Sequence, residues 1–114
     1  MTPTIGRIVH YSLSAEDAQH INHRRTDGES IKQRMFRADQ NFSPPHWPYG
    51  AQAHIGVLAK GGDTLPALVV YVNPVTAEVD LQVFLRGNDV LYVAGALQAT
   101  DLTQMGCWSW PPRS

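Results

Sequence analysis

Apolar and polar positions alternate most regularly from Val79 to Gly95, Val-Asp-Leu-Gln-Val-Phe-Leu-Arg-Gly-Asn-Asp-Val-Leu-Tyr-Val-Ala-Gly. The pattern predicts two short strands joined by a tight turn, because residues two apart share a strand face. Gly87 and Asn88 tolerate the positive φ of a two-residue loop, and Gly at its first position suits a type II′ turn. With that loop, Arg86 faces Asp89, Leu85 faces Val90, Phe84 faces Leu91, Val83 faces Tyr92 and Gln82 faces Val93. Leu81, Val83 and Leu85 then share a buried face with Val90, Tyr92 and Ala94.

The remaining segments are read in the same way. Ile5 to Tyr11 is short, β-branched and aromatic, and is expected to be the first strand. Ser14 caps a helix, with Asp17 three residues on and Leu13 set to staple onto Ala18. The helix is expected to run to about Thr26 and stop at Asp27-Gly28. Its apolar stripe (Ala15, Ala18, Ile21) is thin, so it must dock to persist. Glu29 to Asp39 is a weaker helix candidate, and the prolines of Asn41 to Gly50 exclude helix there. Ala51 to Ala59 alternates as a strand, and Lys60-Gly61-Gly62-Asp63 turns the chain. Leu65 to Val72 is an apolar central strand, Leu97 to Thr103 a loop, and Met105 to Trp110 a last strand with Trp108 and Trp110 on one side. The sum is a mainly β single domain with a helical insert. About six strands form a small antiparallel SH3-like barrel or sandwich, with one or two helices between strands 1 and 2.

Composition narrows the function classes. Nine Lys plus Arg against ten Asp plus Glu give a net charge of −1 over 114 residues, which argues against nucleic acid as a partner. Charged residues are 17 %, low against the usual ~25 %, so some surface is expected to be hidden in a homo-oligomer. No apolar run approaches the ~18 residues of a membrane span. A lone cysteine, Cys107, and no charged-then-apolar leader at Met1 to Tyr11 point to a reducing cytoplasm.

Chemistry-bearing residues fall in three places. His20, His23 and Arg24 share one side of the helix with Arg25 nearby, a set that either grips an anion or forms a solvated face paired to Glu16, Asp17 or Asp27. His46-Trp47-Pro48-Tyr49 with His54 offers rings and imidazoles for stacking on a ligand, or a plug for one barrel end. Arg7, among apolar neighbours, is expected to be buried and to need a partner or an anionic ligand. Arg86 and Asp89 read as a cross-strand ion pair beside the turn. His20-x-x-His23 could chelate zinc only if Cys107, His46 and His54 converged on it, so no metal and no cofactor are expected. No Gly-x-Ser-x-Gly, Walker or His-Glu-x-x-His motif is present, and the sequence leans away from an enzyme.

Taken together, Gly6-Arg7-Ile8-Val9-His10-Tyr11, Ile21-Asn22-His23-Arg24-Arg25, Gly50 to Gly56, Gln82 to Asp89 and Trp108-Ser109-Trp110-Pro111 resemble a family of small proteins encoded in tailed-phage and prophage genomes. Family members usually follow His-Ile-Gly with Asn-Pro where this chain has Val57-Leu58, and their linker near Asn41 to Pro45 is shorter. The resemblance implies a phage or prophage source, hence the cytoplasm of an infected bacterium, and offers no activity to carry over. The resulting expectation is a non-enzymatic binder of an anionic, nucleotide-like small molecule. It would sequester an immune signal and use Arg24, Arg25, His23, Trp47, His54, Arg7 and Tyr49. The alternative is an SH3-like protein-interaction or virion accessory module.

Overall fold

A computed structural model describes residues 3–26, 56–101 and 103–112. Five strands close into a barrel in chain order: β1 (Ile8–Ser12), β2 (Thr64–Val72), β3 (Val79–Phe84), β4 (Val90–Gln98) and β5 (Cys107–Ser109). Neighbours are antiparallel except β4 and β5, which run parallel through Leu97↔Cys107 and Gln98↔Trp108. The architecture is the small SH3-like barrel, with a helix α1 over residues 15–26 between β1 and β2. β5 closes the sheet through two residues of β4 and three of β1, which makes a barrel and not a sandwich.

The interior is filled by the alternate residues that point inward: Val9 and Tyr11 from β1, Leu65, Ala67 and Val69 from β2, Val79, Leu81 and Val83 from β3, Leu91 and Ala96 from β4, and Trp108 from β5. Leu13 and Ile21 add the helix to this core. Pro66 is tolerated mid-strand because the odd-numbered amides of β2 serve β1, as Val69 N–H does to the Arg7 carbonyl at 3.0 Å. Its own missing N–H faces the β3 side, where pairing begins only at Ala67↔Val83.

The helix starts as its capping residues dictate. Asp17 N–H donates to Ser14 Oγ at 3.0 Å, and Ser14 N–H donates back to Asp17 Oδ2 at 3.0 Å. This reciprocal pair satisfies two end amides, and Leu13 and Ala18 on either side of it are buried. Tyr11 Oη donates to the same Oδ2 at 2.6 Å, tying barrel to helix. Burial, then the hydrogen bond to Asp17, push that phenol well above its ordinary pKa. The Lys60–Asp63 turn forms as expected: Asp63 N–H donates to the Lys60 carbonyl at 3.1 Å and its carboxylate accepts from Lys60 N–H at 2.9 Å.

Several expectations are corrected. The hairpin register is Phe84↔Val90, Val83↔Leu91 and Gln82↔Tyr92, one residue from the predicted one. Leu85 to Asp89 form the loop, and neither Gly87 nor Asn88 takes a positive φ. A one-residue slip reverses the strand's faces, so Leu91 is buried while Val90, Tyr92 and Ala94 are exposed. A bulge then shifts the pairing from Leu81↔Val93 to Val79↔Ala96. Gly95 takes φ +67° there and donates its N–H to Asp80 Oδ1 at 2.9 Å, which brings Ala96 inward.

The first strand starts at Ile8, and Leu97 and Gln98 belong to β4 instead of a loop. Six strands were expected and five form among the described residues. In place of a strand ending at Ala59, the described part of that segment contributes a single bridge, Gly56↔Gly87. The stop at Asp27-Gly28, the second helix candidate at Glu29 to Asp39 and the segment Asn41 to Gly50 lie outside the described residues. No helix among the described residues is long and apolar enough to cross a membrane.

Candidate functional site

The helical turn Ile21-Asn22-His23-Arg24-Arg25 is fastened to the barrel through Ile21, Asn22, Arg24 and Arg25. Asn22 Nδ2 donates to the Ala59 carbonyl at 2.9 Å, and its Oδ1 accepts from Ala59 N–H at 2.7 Å. Arg25 is 6 % exposed, and its Nη1 lies 3.0 Å from the Asp89 carboxylate. Arg24, half-buried, donates to the Val90 carbonyl at 2.9 Å and approaches Asp89 at 3.4 Å. Both arginines therefore pair with Asp89 on the β3–β4 loop, and neither pairs with Glu16 or Asp17; Asp27 lies outside the described residues. Asp89 in turn is not the cross-strand partner of Arg86, because the register slip places it in the loop. The expected cationic grip is instead a clamp between helix and hairpin.

Gly56 belongs to the same clamp. A Cβ at this position would collide with the Arg86 carbonyl oxygen and the Gly87 Cα, and would lie 2.9 Å from Arg25 Nη2. The first two are backbone atoms fixed by the bridge and by the Val57 N–H to Arg86 carbonyl bond of 2.8 Å. Gly56→Ala is expected to cost about 1–3 kcal/mol through overpacking, read as a lowered urea midpoint at unchanged slope.

The other predicted positions do not join this clamp. His20 and His23, exposed on the outer side of α1, line an open cleft of about 670 Å³ with Glu16, Gln19, Asn22 and Thr26. Arg7 is exposed, contrary to the expected burial, because it precedes β1 and its guanidinium lies 5.8 Å from the Trp110 ring centroid. Trp47, Tyr49 and His54 lie outside the described residues. No group of three or more metal-ligating side chains gathers among the described residues.

A groove that the spacing of residues did not announce lies on the outer face of β1 and β5, with a volume of about 400 Å³. Its floor is His10 and Ser12 of β1, Cys107 and Ser109 of β5, and Thr64 of β2. Sheet register sets His10 opposite Ser109, and Ser12 opposite both Cys107 and Thr64. The inward neighbours Tyr11, Leu65 and Trp108 anchor these strands in the core. Among the described residues no hydrogen bond or ion pair engages the five floor side chains, four of which are half-buried.

The walls are built from the chain on either side of β5. Trp110 and Pro112 form one, and Ala99, Asp101 and Gln104 form the other. The second wall is folded on itself. Gln104 Oε1 accepts from Thr100 N–H at 2.6 Å, while Asp101 Oδ1 accepts from the Thr103 N–H and hydroxyl, each at 2.7 Å. Those two bonds, the hydroxyl's first, hold the Asp101 carboxyl below its usual range. Ala99 N–H to the Trp108 carbonyl and Gly106 N–H to the Ser12 carbonyl, both 2.7 Å, tie the loop to the floor. The legible signal was the alternation His10-x-Ser12 and Cys107-x-Ser109, polar positions interleaved with core ones; what joins them is the pairing of two strands nearly a hundred residues apart. A search of protein-family models, of curated proteins and of solved structures finds no match to this chain.

Proposed function

We propose that the protein is a non-enzymatic binder of a small molecule, seated in the β1–β5 groove. The observation that carries the reading is five hydrogen-bonding side chains, without a partner among the described residues, converging on one concave site between preformed walls. Convergent polar groups in a pocket of a few hundred Å³ are what small-molecule sites are made of. Binding is favoured over nucleophilic chemistry because no hydrogen bond among the described residues joins the His10 imidazole to Ser109, which it faces across the ladder, or to the Cys107 thiol. His10 and Cys107 are only diagonal neighbours, roughly 7–8 Å apart for such positions.

The groove contains the single cysteine of the chain, which provides an occupancy reporter. Alkylation of Cys107 by excess iodoacetamide is expected to slow severalfold when a boiled, protein-free bacterial extract is added, after normalisation to the unfolded chain. An unchanged rate at intact far-UV circular dichroism would sink the reading.

A second reading, the SH3-like protein-interaction module, is favoured by one observation. Ile8, Phe84, Val90 and Tyr92 are each more than two-fifths exposed on the outer face, and register connects Ile8 through Leu68 and Gln82 to Tyr92. Exposed apolar bands of this kind mark contact surfaces. A protein partner seated on this band would leave Cys107 alkylation untouched.

A further inference from the structure

The groove's chemistry also narrows its occupant; this step rests on the groove being a ligand seat. We infer that it takes a neutral, hydroxyl-rich ring of monosaccharide size, held by His10, Ser12, Thr64 and Ser109 on the floor and by Asp101 at the rim. Among the described lining residues there is no lysine or arginine, and the nearby Arg7 guanidinium is placed over the Trp110 ring. A phosphate or carboxylate would then meet hydroxyls and an aspartate without the charged donors that make anion sites strong. The nucleotide-like anion expected from Arg24 and Arg25 has no counterpart here.

A cation fares no better, because one exposed carboxylate is its sole described counter-charge. Serine and threonine hydroxyls each donate one hydrogen bond and accept others, and neutral imidazole does one of each. A polyol has the same dual character at every position, so it can satisfy several of these groups at once without desolvating a charge. Asp101 adds an acceptor for a ligand hydroxyl through Oδ2, since its two Thr103 bonds go to Oδ1.

The test is a two-dimensional amide NMR titration of the full chain with four probes: D-glucose, N-acetyl-D-glucosamine, inorganic phosphate and adenosine monophosphate. Saturable shifts centred on the amides of residues 10, 12, 64, 107 and 109 are expected with at least one sugar, at a Kd of about 1–10 mM. Phosphate should leave them still. Ser12→Val and Ser109→Val place the change on the outer face, and each should weaken the response about tenfold at unchanged thermal midpoint. If adenosine monophosphate moves these amides and neither sugar does, the polyol assignment is overturned while the groove stands as a ligand seat. If no probe moves them and the extract fails to protect Cys107, both fall. Shifts that appear on other faces alone also overturn the assignment.

Discussion

A chain carrying Asp89→Ala is expected to unfold about 3–5 kcal/mol more easily than the parent. The carboxylate is 3 % exposed and faces Arg25, whose side chain is 4 % exposed. Removing it leaves a guanidinium buried without its counter-charge, and that desolvation cost sets the size of the effect. Domains of this size hold about 5–15 kcal/mol in total, so the variant should lie near the edge of folding. Arg24→Ala removes a half-exposed partner of the same carboxylate and should cost no more than about 1 kcal/mol. A double change, Arg25→Met with Asp89→Leu, should recover much of the loss, because an apolar pair of similar volume can replace a buried ion pair at little cost. Urea midpoints at constant slope check all three. Equal, small effects for Asp89→Ala and Arg24→Ala would show that Arg25 reaches water and that the helix is held by Leu13, Ile21 and Asn22 alone.

The same ion pair explains where sequence reading succeeded and where it stopped. The helix start was legible because Ser14 and Asp17 are three residues apart, and capping is decided within one turn. The turn at Lys60–Asp63 was legible for the same reason. The hairpin register was not: its loop has five residues because Asp89 turns inward to meet Arg24 and Arg25, more than sixty residues earlier in the chain, and no local pattern encodes that. The bulge at Gly95 then resets the inward face from Val93 to Ala96, so strict alternation fails even within β4. A first strand expected from Ile5 encloses Arg7 among apolar neighbours, whereas β1 starts at Ile8 and leaves Arg7 at its exposed end. The groove was hidden for a different reason. Its polar residues are individually ordinary, and their convergence exists only once β5 closes the barrel against β1.

That closure is the subject of the second large effect. Trp108→Ala is expected to cost about 3–5 kcal/mol, the range for removing a buried aromatic side chain. β5 has three residues and is the strand through which β4 and β1 are joined, so its hydrogen bonds alone are few. Trp108 is 2 % exposed, stands opposite Tyr11 and packs edge-to-face on Trp110 with centroids 5.4 Å apart. Its indole Nε1 is buried without a hydrogen-bond acceptor among the described residues, an unmet donor that offsets part of the burial gain. Trp108→Phe keeps a ring and deletes that donor, and should therefore cost much less than the alanine variant. Denaturant unfolding gives the global loss, and amide exchange at Cys107, Ser109 and Leu97 reports whether the barrel opens locally at β5. Because Cys107 and Ser109 flank Trp108 on the opposite face, loosening β5 should also raise the rate of Cys107 alkylation and erase any protection by a bound molecule. An alanine variant that stays within about 1 kcal/mol of the parent, with β5 amides still protected, would mean that the strand is held by its ladders. In that case the groove floor would owe its shape to the hydrogen bonds of residues 99–101 and 103–106 instead of the core beneath it.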